Sequence, residues 1–276
     1  MGLLLLAFFL PLLLASPAPP NELVLGGTEV PVGKYPFFVR LEMVMNNGKK
    51  MLCGGSLLTD RHVLTVSHCV VGHKLGESKA YIGITKIGDK KAKWVQERTI
   101  AKISKTLHNP QGRHYDDINN VAVIELSSPV DFTATAQPAK ILRDDSRVVV
   151  KHGQVIFMGF GSTAFHDNKP NAFSDNLLET GVVVAKFDYC QRTLPKIATD
   201  NDKIVCTVGP HGTHGAGAGE SGGPLVAQDG KGVVQVGMLI GATNSDEKLR
   251  WPDVYLRTSY FCDFFAQATG NAFSCS

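Results

Sequence analysis

Short runs of apolar and β-branched residues recur along the chain, and this pattern limits the fold more than any other feature of the sequence. The runs span residues 37–44, 51–58, 62–66, 80–84, 121–126, 155–160, 177–185, 232–240 and 254–257. Gly, Asn, Asp or Pro lies between most of them, and such spacing is typical of all-β sandwiches and barrels. In residues 258–270 the apolar residues instead recur at helical intervals before a glycine, so we expect one C-terminal helix.

The composition excludes two classes of protein. The 276 residues include 28 basic and 25 acidic side chains, a net charge of +3, and charged residues make up 19% of the total. A net charge this small is not typical of proteins that bind nucleic acid. Hydrophobic residues make up 43% of the chain, which is too many for a disordered protein. We therefore expect a folded protein with no nucleic-acid partner.

The N-terminus predicts export. Residues 3–14 are almost continuously apolar, but about 20 apolar residues are needed to cross a bilayer, so we interpret residues 1–16 as a secretory signal peptide. No second apolar run reaches that length, which favours a secreted, extracellular protein with no membrane partner. In an exported chain the even number of six cysteines indicates up to three disulfides.

Three segments contain residues suited to nucleophilic catalysis. They are Cys-Gly-Gly-Ser-Leu at 53–57, Thr-Val-Ser-His-Cys at 65–69 and Gly-Glu-Ser-Gly-Gly-Pro-Leu at 219–225. In these motifs the chain resembles the chymotrypsin/trypsin family of serine proteases, whose histidine lies in TAAHC and whose nucleophile lies in GDSGGPL. The resemblance extends to Val-Leu-Gly-Gly at 24–27, Gly-Phe-Gly-Ser-Thr at 159–163 and Pro-Asp-Val-Tyr at 252–255.

The resemblance implies an all-β fold of two packed six-stranded antiparallel Greek-key β-barrels followed by a C-terminal α-helix. It implies a short prosegment at 17–23, a first barrel at about 24–137, and a second barrel with the helix at about 138–276. It further implies a monomer that acts on protein or peptide substrates, is open to protein inhibitors and needs no cofactor or metal.

In this interpretation Ser221 is the nucleophile and His68 is the general base. Glycines on both sides of Ser221 let backbone N–H groups approach a bound carbonyl. The N–H groups of Gly219 and Ser221 are therefore candidates for the oxyanion hole.

The cysteines are consistent with the resemblance. The family implies two bridges, Cys53–Cys69 and Cys190–Cys206, and by elimination we expect Cys262 to pair with Cys275 across the C-terminal helix. A bridge that closes a loop of about 16 residues beside His68 would stabilise the fold by about 3 kcal/mol in the chain-entropy model.

Two other motifs are weaker signals. Residues 219–223 match the nucleophile elbow of α/β-hydrolases, but that fold needs a histidine after its serine and none follows Ser221. His211 and His214 resemble part of the subtilisin histidine motif, or half of a metal site, but a third ligand is not evident from the sequence.

The third member of the triad departs from the family. Its buried aspartate opens a segment like NDIALLKL, and Asn-Asn-Val-Ala-Val-Ile-Glu-Leu at 119–126 puts Asn120 in that position. The aspartate accepts the Nδ1–H of the histidine, so that Nε2 is available to take the serine proton. An amide can donate instead and carries no charge, so we expect attenuated catalysis unless Asp116 or Asp117 substitutes for it.

Activation also differs. Glu220 replaces the aspartate that, in the family, pairs with the new N-terminal ammonium, and that terminus would be Val24. Cleavage would fall after Leu23, and residues 16–23 contain no Lys or Arg. We therefore expect no trypsin-like activator, and autoactivation would need a pocket that accepts Leu.

The predicted specificity pocket lacks the acid of trypsin but has a different acid at its back. Its expected residues are Gly215, Ile240, Gly241, Ala242 and Asp253. Gly215 replaces the acid of trypsin, and residues 240–242 replace the Ser-Trp-Gly wall of the family. Asp253 replaces a glycine at the back of the pocket, where a carboxylate would pair with a substrate Lys or Arg unless it turns to solvent or a neighbouring loop.

Two functions are compatible with these residues. The first is a secreted trypsin-like serine endopeptidase of attenuated activity. The alternative is a catalytically inactive homologue that keeps the fold as a binding or regulatory module.

Overall fold

The computed structural model describes residues 27–108, 118–161, 173–209, 215–241 and 252–276. Most of the regular structure in these residues is antiparallel strand. The strands are β1 (Thr28–Glu29), β2 (Phe38–Val44), β3 (Lys50–Leu57), β4 (His62–Thr65), β5 (Lys79–Ile82), β6 (Gln96–Leu107), β7 (Val121–Leu126), β8 (Gln154–Gly159), β9 (Leu178–Val184), β10 (Ile204–Val208), β11 (Pro224–Gln228), β12 (Val233–Gly241) and β13 (Asp253–Arg257). The α-helices are α1 (Phe187–Thr193) and α2 (Cys262–Ala268).

Strands β2 to β7 form a closed barrel in the order β2-β3-β4-β7-β6-β5. The alternation of side chains along β2 shows how the sequence fills it. Val39, Leu41 and Met43 are fully buried in the core, whereas Arg40 and Glu42 lie on the opposite face of the strand.

Strands β8 to β13 form a second barrel in the equivalent order, β8-β9-β10-β13-β12-β11, which closes where β11 pairs with β8. Strand β1 extends it by pairing with β9. Its core includes Phe157 and Tyr255, whose ring centroids are 5.7 Å apart. In both barrels the order of the hydrogen-bonded strands is that of a Greek key, so the predicted fold class is confirmed.

The two barrels pack against each other through aromatic and aliphatic side chains. Phe38 of β2 lies 5.9 Å from Phe160, which follows β8, between ring centroids. The Arg40 guanidinium lies over the same Phe160 ring at 4.8 Å. The candidate site described below lies where loops of the two barrels meet.

The predicted runs are all strands, with ends that differ from prediction by at most two residues. Strands β1, β6, β10 and β11 are not among those runs. The longest of them, β6, buries only Ile100 completely and exposes or half-exposes its other side chains, so the sequence shows no apolar alternation there.

The C-terminus follows the helical prediction in two steps. Residues Thr258–Phe261 form a 3-10 turn, which continues into α2. Phe261, Phe264 and Phe265 pack into the core, and a disulfide joins Cys262 to Cys275. Among the described residues, neither helix is long and apolar enough to span a bilayer. The predicted signal peptide and prosegment lie outside the described residues.

Candidate active site

The histidine and serine motifs adjoin each other across the two barrels. His68 lies on a one-turn 3-10 helix, Ser67–Cys69, directly after β4, and a disulfide ties Cys69 to Cys53 on β3. The carbonyl oxygen of Ser221 accepts a hydrogen bond from the Gly54 N–H at 2.8 Å and lies 3.7 Å from Cys69 Sγ. The Cys53–Cys69 disulfide and the strand that carries it thus bring the segment of His68 next to the backbone of Ser221.

Glycine residues make this close approach possible. A Cβ on Gly54 would lie 2.6 Å from the Cα of Gly223, which is a steric overlap. Gly222 has a φ of +82°, and its Cβ would overlap the carbonyl oxygen of Gly54. The glycines of the Cys-Gly-Gly and Ser-Gly-Gly motifs therefore interlock, which explains why both motifs need them.

Asn120 lies beside His68, just before β7. Its Nδ2 atom is 2.8 Å from His68 Nδ1. Its Oδ1 atom accepts hydrogen bonds from the Ser67 hydroxyl at 2.6 Å and from the His68 backbone N–H at 3.1 Å. Both side chains are buried.

The donors around Asn120 determine which way its amide points. A backbone N–H can only donate, so the atom facing the His68 N–H must be the amide oxygen. The amide NH₂ then faces His68 Nδ1, which must accept. A neutral imidazole that accepts at Nδ1 carries its proton on Nε2, and Nε2 is the atom that a general base needs unprotonated.

Ser67 is a site residue that our sequence analysis missed. It is fully buried, and besides its bond to Asn120 its hydroxyl lies 3.5 Å from His108 Nδ1. The signal was present, because the family has alanine where Thr-Val-Ser-His-Cys has Ser67. The alternative acids Asp116 and Asp117 lie outside the described residues.

The predicted oxyanion donors are two N–H groups with no partner in the described part of the chain, those of Gly219 and Ser221. Gly219 has a φ of +84°, and a Cβ there would lie 2.7 Å from Phe173 Cε1 and 3.5 Å from Leu52 Cβ. Glycine is the residue that fits this conformation without strain. The side chains of Phe173 and Leu52 form an apolar surface beside it.

Glu220 points inward and is fully buried. Its carboxylate accepts hydrogen bonds from the N–H of Gly161 at 2.9 Å and from the N–H of Gly217. A Cβ on Gly159 or Gly161 would overlap it, so the glycines around Phe160 make room for this side chain. Burial raises the pKa of Glu220 to about 8, against the two backbone hydrogen bonds, which lower it. Its predicted partner Val24 lies outside the described residues.

Asp253 opens β13 and lies next to Gly215. Its Oδ2 atom accepts the Ala216 N–H at 2.8 Å and would lie 2.8 Å from a Cβ on Gly215. The side chain is buried, and burial raises its pKa to about 7. The carboxylate therefore does not turn to solvent, and it faces the neighbouring loop at Gly215 and Ala216, which was the other alternative.

The rest of the predicted pocket is described only in part. Ile240 is fully buried in the core, and Gly241 pairs with Val254 at the end of β12. Ala242 lies outside the described residues, as do His211 and His214. Within the described ranges, no cluster of three or more His, Cys, Asp or Glu side chains is arranged to hold a metal ion.

All three predicted disulfides are present. They join Cys53 to Cys69, Cys190 to Cys206 and Cys262 to Cys275.

Comparison with known proteins gives a consistent result. A family model described as "Trypsin" matches residues 24–265. Phenoloxidase-activating factor 3 of Holotrichia diomphalia is 29% identical over 264 residues, which cover 88% of this chain and 72% of that protein. Chymotrypsin-2 of Vespa crabro is 28% identical over 244 residues, 87% of this chain and 97% of that protein.

A solved structure called "Structure of GrC" superimposes with a TM-score of 0.75 at 24% identity and covers 89% of this chain and 99% of that one, which supports the fold alone. The match to the family model extends over most of the chain and includes both barrels and every motif discussed above. The chain therefore belongs to the trypsin family.

Proposed function

We propose that the chain is a secreted serine endopeptidase of attenuated activity, which hydrolyses peptide bonds through an acyl-enzyme on Ser221. The observation that supports this most is the pair of contacts at His68: Asn120 Nδ2 lies 2.8 Å from His68 Nδ1, and Sγ of the next residue, Cys69, lies 3.7 Å from the Ser221 carbonyl oxygen. These contacts support a catalytic triad of Ser221, His68 and Asn120, with an amide in place of a carboxylate.

In the proposed reaction the Ser221 hydroxyl attacks the carbonyl carbon of the scissile peptide and its proton passes to His68 Nε2. The negative charge that develops on the carbonyl oxygen is stabilised by the N–H groups of Gly219 and Ser221. His68 then gives the proton to the leaving amine. Water, activated in the same way, hydrolyses the ester and restores Ser221.

Asn120 supports the attenuation. His68 can accept a proton at Nε2 only in the tautomer with a proton on Nδ1, and that proton would face the amide NH₂ of Asn120. Two donors would then oppose each other in a buried place, so the reactive tautomer is disfavoured. The imidazolium formed during attack also has no carboxylate from Asn120 to stabilise it.

Glu220 supports a precursor that is activated by cleavage after Leu23. A buried carboxyl with a pKa of about 8 has no positive partner among the described residues. The ammonium group of a new N-terminal Val24 would supply one and would stabilise the ionised form. The segment 16–23 has no Lys or Arg, so the activating protease is one that accepts Leu.

Asp253 supports a preference for substrates with Arg or Lys before the cleaved bond. It is buried beside Gly215, accepts a hydrogen bond from the Ala216 N–H and has no cationic partner in the described part of the chain. A guanidinium or ammonium group that entered the pocket would form a charge-assisted bond with it.

The second candidate is an inactive homologue that serves as a binding or regulatory module. The orientation of the Asn120 amide favours it, because His68 then holds its proton at the atom that must receive one. The two candidates share the fold and differ in whether Ser221 is nucleophilic.

The experiment that separates them is labelling with a fluorophosphonate after removal of residues 1–23. We expect slow but stoichiometric modification that depends on Ser221, with Ser221→Ala as the unlabelled control. If the processed protein is folded and stays unlabelled at long times, the endopeptidase proposal is wrong and the binding module is favoured.

A further inference from the structure

A groove of about 510 Å³ opens on the second barrel, between the end of β9, the start of α1 and β10. About half of its wall is apolar, and this part includes Val149, Phe187 and Ile204. None of the described residues that line it belongs to the candidate active site, and its role is independent of Ser221. Its volume is within the range of small-molecule sites, about 300–1,000 Å³.

Two lysines line this groove, Lys151 and Lys186. Lys151 belongs to a turn closed by a hydrogen bond from the Gly153 N–H to the Val150 carbonyl at 2.7 Å. The next residue, His152, has a φ of 62°, a strained conformation for a residue other than glycine. The turn is held against β9, because the His152 N–H donates to the Val184 carbonyl at 2.9 Å.

The charges around these lysines are unbalanced. A side-chain hydrogen bond with Lys186 lowers the pKa of Lys151, and the positive charge of Lys186 lowers it further. Arg257 and Asp188 also line the groove, but Arg257 pairs with Asp145 at 2.9 Å and Asp188 with Arg192 at 3.2 Å.

Neither lysine has a carboxylate within ion-pair distance among the described residues, although Asp188 acts on Lys151 from further away. The groove is therefore lined by two lysines, one on the turn and one before α1, and neither forms an ion pair in the described chain. An oxyanion placed between them would receive hydrogen bonds from both ammonium groups and relieve their repulsion.

We propose that this groove binds a sulfate or phosphate monoester carried on an apolar body, with the ester oxygens at Lys151 and Lys186 and the body against the apolar wall. A small inorganic ion would use only the lysines, whereas an aryl ester would also cover apolar surface of the groove.

The test is calorimetric titration of the full chain with phenyl phosphate, phenyl sulfate, inorganic phosphate and benzyl alcohol. We expect saturable binding of at least one aryl ester, weaker binding of inorganic phosphate and none of the neutral alcohol. Preference for one aryl ester over the other identifies the natural ligand as a phosphate or a sulfate.

Variants make the assignment specific. Lys151→Gln and Lys186→Gln should each weaken binding of the aryl ester about tenfold or more, and Lys151→Arg should retain it. Lys196→Gln is the matched control, because it removes the same charge from an exposed position that does not line the groove. Thermal unfolding of each variant verifies that it is folded.

Three results would overturn the proposal. They are no saturable binding of either ester in the millimolar range, equal loss of affinity in all three Gln variants, and equal affinity for inorganic phosphate and the aryl esters.

Discussion

The two halves of the candidate site differ in how their charges are satisfied. On the side of the first barrel, the side chains of Ser67, His68 and Asn120 form a buried network centred on the Asn120 amide. On the side of the second barrel, Glu220 and Asp253 are buried acids whose pKa values burial raises to about 8 and about 7. Both acids accept hydrogen bonds from backbone N–H groups, and neither forms an ion pair with a described Lys, Arg or His.

This difference suggests that the two halves limit activity for different reasons. In the first half the Asn120 amide gives the network around His68 the wrong polarity for catalysis. The second half needs positive charge from outside the described residues, which we assign to the N-terminus released by processing and to the substrate side chain. A substitution at Asn120 alone would restore the polarity of the first half. The second half would obtain its positive charges only after processing and on binding substrate.

The largest effect should come from Asn120→Asp in the processed protein. A carboxylate accepts the same bonds from Ser67 and the His68 N–H with one oxygen and receives the Nδ1–H with the other. We expect kcat to rise by up to about 10⁴-fold, the size of the effect of the reverse change in a serine protease of this family. Steady-state hydrolysis of peptide substrates measures it.

Asn119→Asp is the matched control, because it adds the same charge one residue away at an exposed position and should leave kcat almost unchanged. An equal rise in both variants would indicate a general electrostatic effect. If kcat does not rise in Asn120→Asp, the cause of the low activity lies at Glu220 or in the specificity pocket.

The next effect concerns the stability of the precursor. A carboxyl group whose pKa is raised by folding stabilises the fold fully below its unfolded pKa, and this contribution is lost as the pH rises through the folded value. For Glu220 the window runs from 4.5 to about 8, and for Asp253 from 3.8 to about 7. One pKa unit corresponds to about 1.4 kcal/mol, so Glu220 should cost a few kcal/mol across its window.

Glu220→Gln should therefore flatten the fall in unfolding free energy between pH 5 and pH 8, as measured by urea denaturation of the precursor at several pH values. In the processed protein we expect a flatter profile even without the substitution, because the new ammonium keeps Glu220 ionised. Identical slopes in the precursor and its Gln variant would show that Glu220 is not the titrating group.

A smaller effect is expected at Asp253. The Asn variant should lower the preference for Arg over Leu peptides by about tenfold to a hundredfold in kcat/KM, because a charge-assisted hydrogen bond contributes about 1.5–3 kcal/mol. Asp229→Asn is a suitable control, since that acid pairs with Lys140 at the surface of the same barrel. Equal turnover of Arg and Leu peptides by the unchanged protein would rule out the proposed specificity.

The sequence predicts the fold well where apolar residues alternate, as in β2, and poorly where a strand is half exposed, as in β6. It predicts that Asn120 lies at His68, because the motif fixes its position before a buried strand. The orientation of the amide could not be predicted, because it depends on the Ser67 hydroxyl and the His68 backbone N–H, which come near Asn120 only in the folded chain.

The burial of Asp253 was likewise open from the sequence. The glycine that it replaces in Pro-Asp-Val-Tyr indicates a position at the back of the pocket but does not determine which way the carboxylate points. Its direction follows from the space beside Gly215, which has no side chain, and from the N–H of Ala216.

The central claim is that the Asn120 amide donates to His68 and keeps the proton on Nε2. The most direct measurement is ¹⁵N NMR of the His68 imidazole in the processed protein, at a pH where the ring is neutral. We expect an unprotonated Nδ1 and a protonated Nε2, with the two exchanged in Asn120→Asp. A protonated Nδ1 in the unchanged protein would contradict the account.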